Sequence, residues 1–383
     1  MKFEFATASR IIFGRHTAAQ APALCAAWGR RILVVTGSRP GRASPILDSL
    51  RSAGLDVSVF SIQKEPTLQE ARNGAVMARE IKADAILGLG GGSAVDGGKA
   101  VAALATQPKD ALDYLEVVGL GHALDHPPLP FLAMPTTAGT GAEATRNAVL
   151  SVPEHGVKAS LRHASMLPSV ALIDPALALE CPPEVTAASG MDALTQCLEA
   201  FVSCRAQPMT DALCLEGIRR STRSLERAVK DGRDLDARED MALAALFSGM
   251  ALANAGLGAV HGFAAPVGGQ FPAPHGAVCA ALLAPVWEAN LSTARQAAAP
   301  ETLERFQTAA TLLTGRPDAH AEAALPVLHG LAERLRIPGL ASYGIRLQDL
   351  DDLALKASKA SSMKGNPVPL DLPALRSILQ AAL

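Results

Sequence analysis

The sequence predicts an α/β domain with a parallel sheet, followed by an all-α domain. From residue 1 to about 180, short apolar runs alternate with amphipathic helical stretches, the pattern of strands joined by crossover helices. Beyond Asp174-Pro175 the strand signals stop, and from Pro183 onward the chain is rich in Ala and Leu at helical periodicity. With 383 residues, 49% of them hydrophobic and 19% charged, it can bury a large core, enough for about two domains. The expected division is an α/β domain over 1–180 and an all-helical domain over 181–383.

In the first domain, ILVV at 32–35 reads as a buried strand entering a turn at Thr36-Gly37-Ser38. A helix over 44–53 and a second strand over 57–62 follow. A helix over 68–82 leads to the apolar strand at 85–89, which runs directly into Gly90-Gly91-Gly92-Ser93 and a helix over 94–104. The apolar segment 129–134 ends in a polar turn, PTTAGTGAE, at 135–143. In the second domain, periodicity places helices over 185–203, 208–231, 236–255, 276–292, 300–313, 320–335 and 371–382. No repeat or low-complexity linker interrupts the chain.

Composition excludes several partners. The net charge is −2 without a basic patch, and aromatics make up 4%, so there is little to neutralise phosphates or stack bases. No apolar run approaches the twenty or so residues that span a bilayer, and the start MKFEFATASR lacks the apolar region of a secretion signal, so a cytoplasmic location is expected. Cys25, Cys181, Cys197, Cys204, Cys214 and Cys279 show no CxxC spacing and read as reduced, mostly structural thiols.

Four features carry possible chemistry. The stretch 256–275, GLGAVHGFAAPVGGQFPAPH, sets His261 and His275 in apolar sequence around glycines and prolines. A helix ending, a returning loop and a second helix starting near His275 would let both rings face one point as metal ligands; the alternative is a pair of satisfied structural histidines. Asp192 and Gln196 lie i, i+4 on one helix face, and Asp192 is either a third ligand or a helix-end charge. Gly90 to Ser93 close a strand and open a helix, which offers backbone N–H groups and a positive helix end to an anion, or else makes a tight turn. Asp96 and Lys99 then supply helix-end electrostatics or orient that loop. The threonine turn after residue 134 aims hydroxyls and amides toward a sheet edge where open α/β sheets bind ligands, unless it is only a turn.

GGGSAVDGGK at 90–99, PTTAGTGAEATRNAVL at 135–150, SGMDALTQCLEAFVS at 189–203 and GAVHGFAAPVGGQFPAPHG at 258–276 resemble, in order, the signature blocks of the iron-containing (group III) alcohol dehydrogenases. The likeness runs from Phe13-Gly14 to Asn366-Pro367. It implies an N-terminal dinucleotide-binding α/β domain and a C-terminal helical domain that binds metal and substrate, the plan shared with dehydroquinate synthase. Carried over residue by residue, it places pyrophosphate on Gly91, Gly92 and Ser93 with Asp96 nearby. It places the nicotinamide half of the cofactor on Thr136, Thr137 and Thr140, with Lys158 near its ribose and Gly37 and Ser38 in the first turn. The metal site would be Asp192, Gln196, His261 and His275.

Two departures matter. Where the family has a third histidine ligand this chain has Gln196, whose amide oxygen is a weak neutral donor, so Fe²⁺ and Zn²⁺ both suit the site. Ala265 stands where many members have a histidine given a role in proton transfer, leaving water or a cofactor hydroxyl to move the proton. Thr36 is followed by Gly37, Ser38 and Arg39, with Arg42 close behind, in place of the acid that would bond an NAD ribose; this points to NADP(H).

The resemblance therefore implies reversible hydride transfer between NAD(P) and a small alcohol or aldehyde, with its carbonyl oxygen on a divalent metal, in a homodimer or larger homo-oligomer. The alternatives are a metal-free reductase of the maleylacetate reductase kind, a lyase resembling dehydroquinate synthase, and a non-enzymatic nucleotide- or metal-binding protein.

Overall fold

Alternation within the apolar run at 32–35 shows how the sheet is built. Ile32 and Val34 point into one hydrophobic cluster with Leu87, Leu89 and Leu132, while Leu33 and Val35 point into another with Ile86, Val95 and Phe131. Both faces are buried, as a parallel sheet covered by helices requires. A computed structural model describes residues 2–383. The chain divides into two compact units: 7–137 with 141–180, and the segment up to Ala6 with 138–140 and 181–383.

The first unit contains strands β1 (Ile11–Phe13), β2 (Arg31–Thr36), β3 (Asp56–Ser61), β4 (Ala85–Gly90), β5 (Phe131–Pro135), β6 (Asn147–Val152), β7 (Val157–Arg162) and β8 (Val170–Ile173). Its helices are α1 (Ala21–Ala26), α2 (Ser44–Ser52), α3 (Leu68–Glu80) and α4 (Gly92–Leu104). The main sheet is parallel in the order β1-β8-β5-β4-β2-β3. From β2 the chain steps outward to β3 and returns on the other side of β2 as β4, so strand direction of travel reverses between β2 and β4. That is the position at which open α/β sheets bind ligands.

Strands β6 and β7 form a separate antiparallel hairpin. It was not expected from the sequence, nor were the short edge strand β1 and strand β8.

The second unit is helical: α5 (Pro183–Val202), α6 (Pro208–Lys230), α7 (Leu235–Ala255), α8 (Ala259–Gln270), α9 (His275–Gln296), α10 (Pro300–Thr314), α11 (Ala324–Arg334), α12 (Leu350–Ser358) and α13 (Leu372–Ala381). One hydrophobic cluster runs through it. The returning loop between the two histidines is shorter than expected: α8 continues through Pro266, Gly268 and Gly269 to Gln270, and the chain turns only at 271–274. Helix α9 is long and apolar enough to cross a bilayer, contrary to the reading of its sequence, yet 72% of its most apolar window is buried inside the protein. That burial suits the core helix of a folded unit.

Candidate metal centre and nucleotide loops

Asp192 is the tenth of the twenty residues of α5 and is 1% exposed, so it is not a helix-end charge. An unpaired carboxylate so deep would be very costly, and its surroundings show what it faces. Its Oδ1 lies 3.2 Å from His261 Nε2 and 3.7 Å from His275 Nε2. His261 sits in the first turn of α8 and His275 opens α9; their ring centroids are 5.4 Å apart. Cys279, one turn along α9 from His275, brings Sγ within 3.6 Å of His261 Nε2 and 3.7 Å of His275 Nε2. Donor atoms of Asp192, His261, His275 and Cys279 all lie within 4.8 Å of one another.

Gln196 stands one turn beyond Asp192 on the same helix. Its Nε2 donates to Asp192 Oδ2 at 3.4 Å, and its Oε1 is buried without a hydrogen-bond partner. A buried acceptor of this kind is uncommon and fits a cation or a cation's water beside it.

A second carboxylate completes the arrangement. Glu199 Oε1 accepts from Val260 N at 2.7 Å and its Oε2 is 2.6 Å from His261 Nδ1. One side chain thus places negative charge at the N-terminus of α8 and accepts the Nδ1–H of His261, which turns Nε2 toward Asp192. Asn366 Oδ1 accepts from Ala259 N at 3.0 Å and shares the capping of this helix end.

The site's electrostatics are those of a cation hole. Burial opposes a charge on His275, but Cys279 and Asp192 outweigh it and hold its pKa up at about 9. Burial likewise opposes a charge on His261, and Cys279, Asp192 and Glu199 push its pKa well above the usual range. Burial works against the Asp192 carboxylate, while His275, His261 and Cys279 hold its pKa below the usual range. The negative groups that draw protons onto these rings provide the field a divalent cation would meet.

Glu199 and Cys279 were missed in the sequence, though both carry a periodic signal: Asp192, Gln196 and Glu199 follow i, i+4, i+7, and His275 and Cys279 follow i, i+4. Substituting Glu199 with glutamine keeps the side chain's size and an acceptor for Val260 N, but removes the charge behind His261. We expect Glu199→Gln to weaken metal affinity by about 10–100-fold with the fold retained, measured by metal titration beside far-ultraviolet circular dichroism. Unchanged affinity would show that Glu199 serves only as a helix cap.

The proposed nucleotide loops lie in the sheet unit, with one exception. Gly37 and Ser38 follow β2, and Gly91, Gly92 and Ser93 begin α4 after β4, so these two turns flank the reversal between the strands. Thr136 N donates to Gly90 O at 2.8 Å, and a Cβ at Gly91 would meet Thr137 Oγ1 at 3.3 Å, which brings the threonine turn against the glycine turn. Gly90 has φ +155°, and a Cβ there would meet that of Ala94 at 2.7 Å, so the turn demands glycine. No side chain caps the N-terminus of α4.

Asp96 Oδ2 accepts from Val149 N at 3.1 Å. The buried ammonium of Lys99 donates to Ala142 O and Asn147 O, each at 2.7 Å, and to Thr145 Oγ1 at 2.9 Å. Lys99 therefore orients the segment after the threonine turn. Lys158 lies on β7 and pairs with Glu65 at 2.5 Å. Thr140 groups with the helical unit. Ala265 is exposed on α8.

Residues 8–175 match the family profile described as iron-containing alcohol dehydrogenase, and residues 186–383 match that of the C-terminal part of the same family. The chain is similar to alcohol dehydrogenase 4 of Saccharomyces cerevisiae, with 35% identity over 92% of this chain and 91% of that one. It is 36% identical to 1,3-propanediol dehydrogenase of Klebsiella pneumoniae over 88% of each. Among solved structures, a 1,3-propanediol oxidoreductase superimposes with a TM-score of 0.92 at 33% identity and full coverage of both chains. A sulfoacetaldehyde reductase from Bifidobacterium kashiwanohense, solved with NAD+, gives 0.87 at 27% identity over 100% of this chain and 99% of that one.

Proposed function

The chain belongs to the iron-containing alcohol dehydrogenase family, and on that premise we propose that it transfers hydride reversibly between NAD(P) and a small alcohol or aldehyde. The observation that carries the reading is the convergence of Asp192, His261 and His275 from three helices, with the Glu199 carboxylate 2.6 Å from His261 Nδ1. Three buried or half-buried donors that converge, with the unpartnered Oε1 of Gln196 one turn along α5 from Asp192, fit a divalent cation, Fe²⁺ or Zn²⁺. When bound, such an ion polarises a substrate carbonyl in reduction and makes an alcohol more acidic in oxidation.

The chain's own part is positioning. Asp192 supplies a full negative charge on oxygen to the ligand set, and Gln196 holds its second carboxylate oxygen. At 37% side-chain exposure His275 is the open edge of this set. Because position 265 holds a methyl group, proton exchange with solvent takes the place of a side-chain relay. The backbone amides at Gly91–Ser93 suit a pyrophosphate, Thr136 and Thr137 border the same turn, and Asp96 steadies its helix. Thr140 and Lys158 belong to our cofactor assignment on the strength of the family blocks alone.

Exposed Arg39 and Arg42, beyond the end of β2, favour the 2′-phosphate of NADP(H) over NAD(H). We assign the metal-binding role to the helical domain and place the enzyme in the cytoplasm as a homodimer or larger homo-oligomer.

The deciding experiment pairs metal analysis of protein purified without chelator with NADPH and NADH oxidation on a panel of small aldehydes, before and after metal removal. Near-stoichiometric Fe or Zn, turnover lost on stripping and restored by the metal, and faster oxidation of NADPH are expected. Undiminished turnover by metal-free protein would replace this reading with the metal-independent reductase that Gln196 and Ala265 also suit.

A further inference from the structure

We propose that the Cys279 thiolate is itself a ligand of the metal, standing in for the histidine that Gln196 replaces, and that it turns the site's preference from iron toward zinc. The inference rests on the metal-dependent reading above, and geometry carries it. Four donors at the corners of a tetrahedron with bonds of about 2.0–2.3 Å are separated by about 3.3–3.8 Å. Four of the six separations among Asp192, His261, His275 and Cys279 are 3.2, 3.7, 3.6 and 3.7 Å.

These side chains come from three helices, and Cys279 reaches the set only because it lies one turn from His275 on α9. It is fully buried, yet its sulfur faces two imidazole nitrogens instead of hydrocarbon, unlike a thiol that merely fills a core.

Gln196 offers a second, independent sign. It is 2% exposed, its amide sits against Asp192, and its Oε1 has no partner. A neutral amide oxygen binds a cation weakly, so Gln196 leaves the set short of one strong donor, and the anionic sulfur supplies it. Thiolate is the softest donor present and favours Zn²⁺ over Fe²⁺ among the ions this site can hold; a thiolate-bearing zinc site is compatible with alcohol oxidation. Cys279 releases its thiol proton to solvent as the cation binds, and the metal's oxidation state is unchanged.

The test uses the full-length protein loaded with Co²⁺ alone, read by absorption spectroscopy. The wild type is expected to show a thiolate-to-cobalt charge-transfer band in the near ultraviolet. Cys279→Ser should abolish the band, whereas Gln196→Ala and, as a thiol control, Cys204→Ser should keep it. Zinc affinity of Cys279→Ser should fall by about 100-fold or more, and protein produced with iron and zinc both supplied should carry mostly zinc. A wild-type cobalt protein without the band overturns the inference, and so does a band that survives Cys279→Ser. If Cys279→Ser does not fold, the wild-type spectrum decides alone. Cobalt enzyme that oxidises alcohols without the band would refute the thiolate ligand and leave the proposed activity standing.

Discussion

Asp192→Ala is expected to leave the protein without bound metal and to lower turnover by about 10³-fold or more, roughly 4 kcal/mol of transition-state stabilisation, with nucleotide affinity unchanged. The size of the effect follows from what the carboxylate does. It is the one aspartate facing both His261 and His275, and its Oδ1 lies 3.2 and 3.7 Å from their Nε2 atoms. No other side chain among the described residues brings a full negative oxygen to that point. Without it, the two rings converge with only Cys279 and the neutral Gln196 beside them. Nucleotide affinity should not follow, because the glycine turns after β2 and β4, with Thr136 and Thr137 after β5, belong to a unit with its own hydrophobic clusters.

Breaking a buried charged set also costs stability, about 3–5 kcal/mol when one partner is removed and the other stays charged. Asp192→Asn, which keeps the volume, separates the two losses: metal retention should still fail while the protein stays folded. Metal content per folded chain and nucleotide titration make the check. Loss of nucleotide affinity in step with metal, in a folded variant, would show that the two binding tasks are not divided between the units as proposed.

What the sequence revealed, and what it hid, has a physical basis. Strands β2, β4 and β5 are buried on both faces and read as continuous apolar runs, so they stand out even where they are short. Strand β1 has three residues, too few for any period to emerge. Strand β6 alternates buried positions with partly or fully exposed ones along Asn147–Val152, but its sequence continues the threonine turn without a break and the period is easily passed over.

Helix α8 runs on through Pro266 because proline removes only one internal hydrogen bond, and local propensity there yields to packing in the helical core. At the candidate site, Asp192, His261 and His275 were legible as residue types that apolar sequence does not tolerate without a partner. Glu199 and Cys279 were not: a glutamate near a helix end and a cysteine among alanines both have ordinary uses. Their roles depend on which helices cross where, and helix crossing leaves no local mark in the sequence.

Gly276 is where that crossing is most exposed to test. It follows His275 at the start of α9, and a Cβ added there would lie 2.3 Å from Ala188 O, 2.7 Å from Ala188 C and 3.4 Å from the Cβ of Asp192. The first two are backbone atoms of α5, so no change of rotamer relieves the clash. The helices must move apart by about 1.1 Å to reach an ordinary contact of about 3.4 Å or more. That displacement acts on the pair of helices that carry Asp192 and His275, whose donor atoms are 3.7 Å apart.

Overpacking of this kind costs about 1–3 kcal/mol in stability, which the large helical core should survive. A ligand set tolerates much less: metal bond lengths are fixed to within about 0.2 Å. Gly276→Ala should therefore lower the thermal midpoint modestly and weaken metal affinity by about 100-fold, an effect as large as loss of an outer-shell partner. Gly276→Val should be worse on both counts. Thermal melts of metal-free protein beside metal titrations separate the two quantities. If Gly276→Ala binds metal as tightly as the wild type, the close approach of α9 to α5 serves packing alone and does not set the distance between Asp192 and His275.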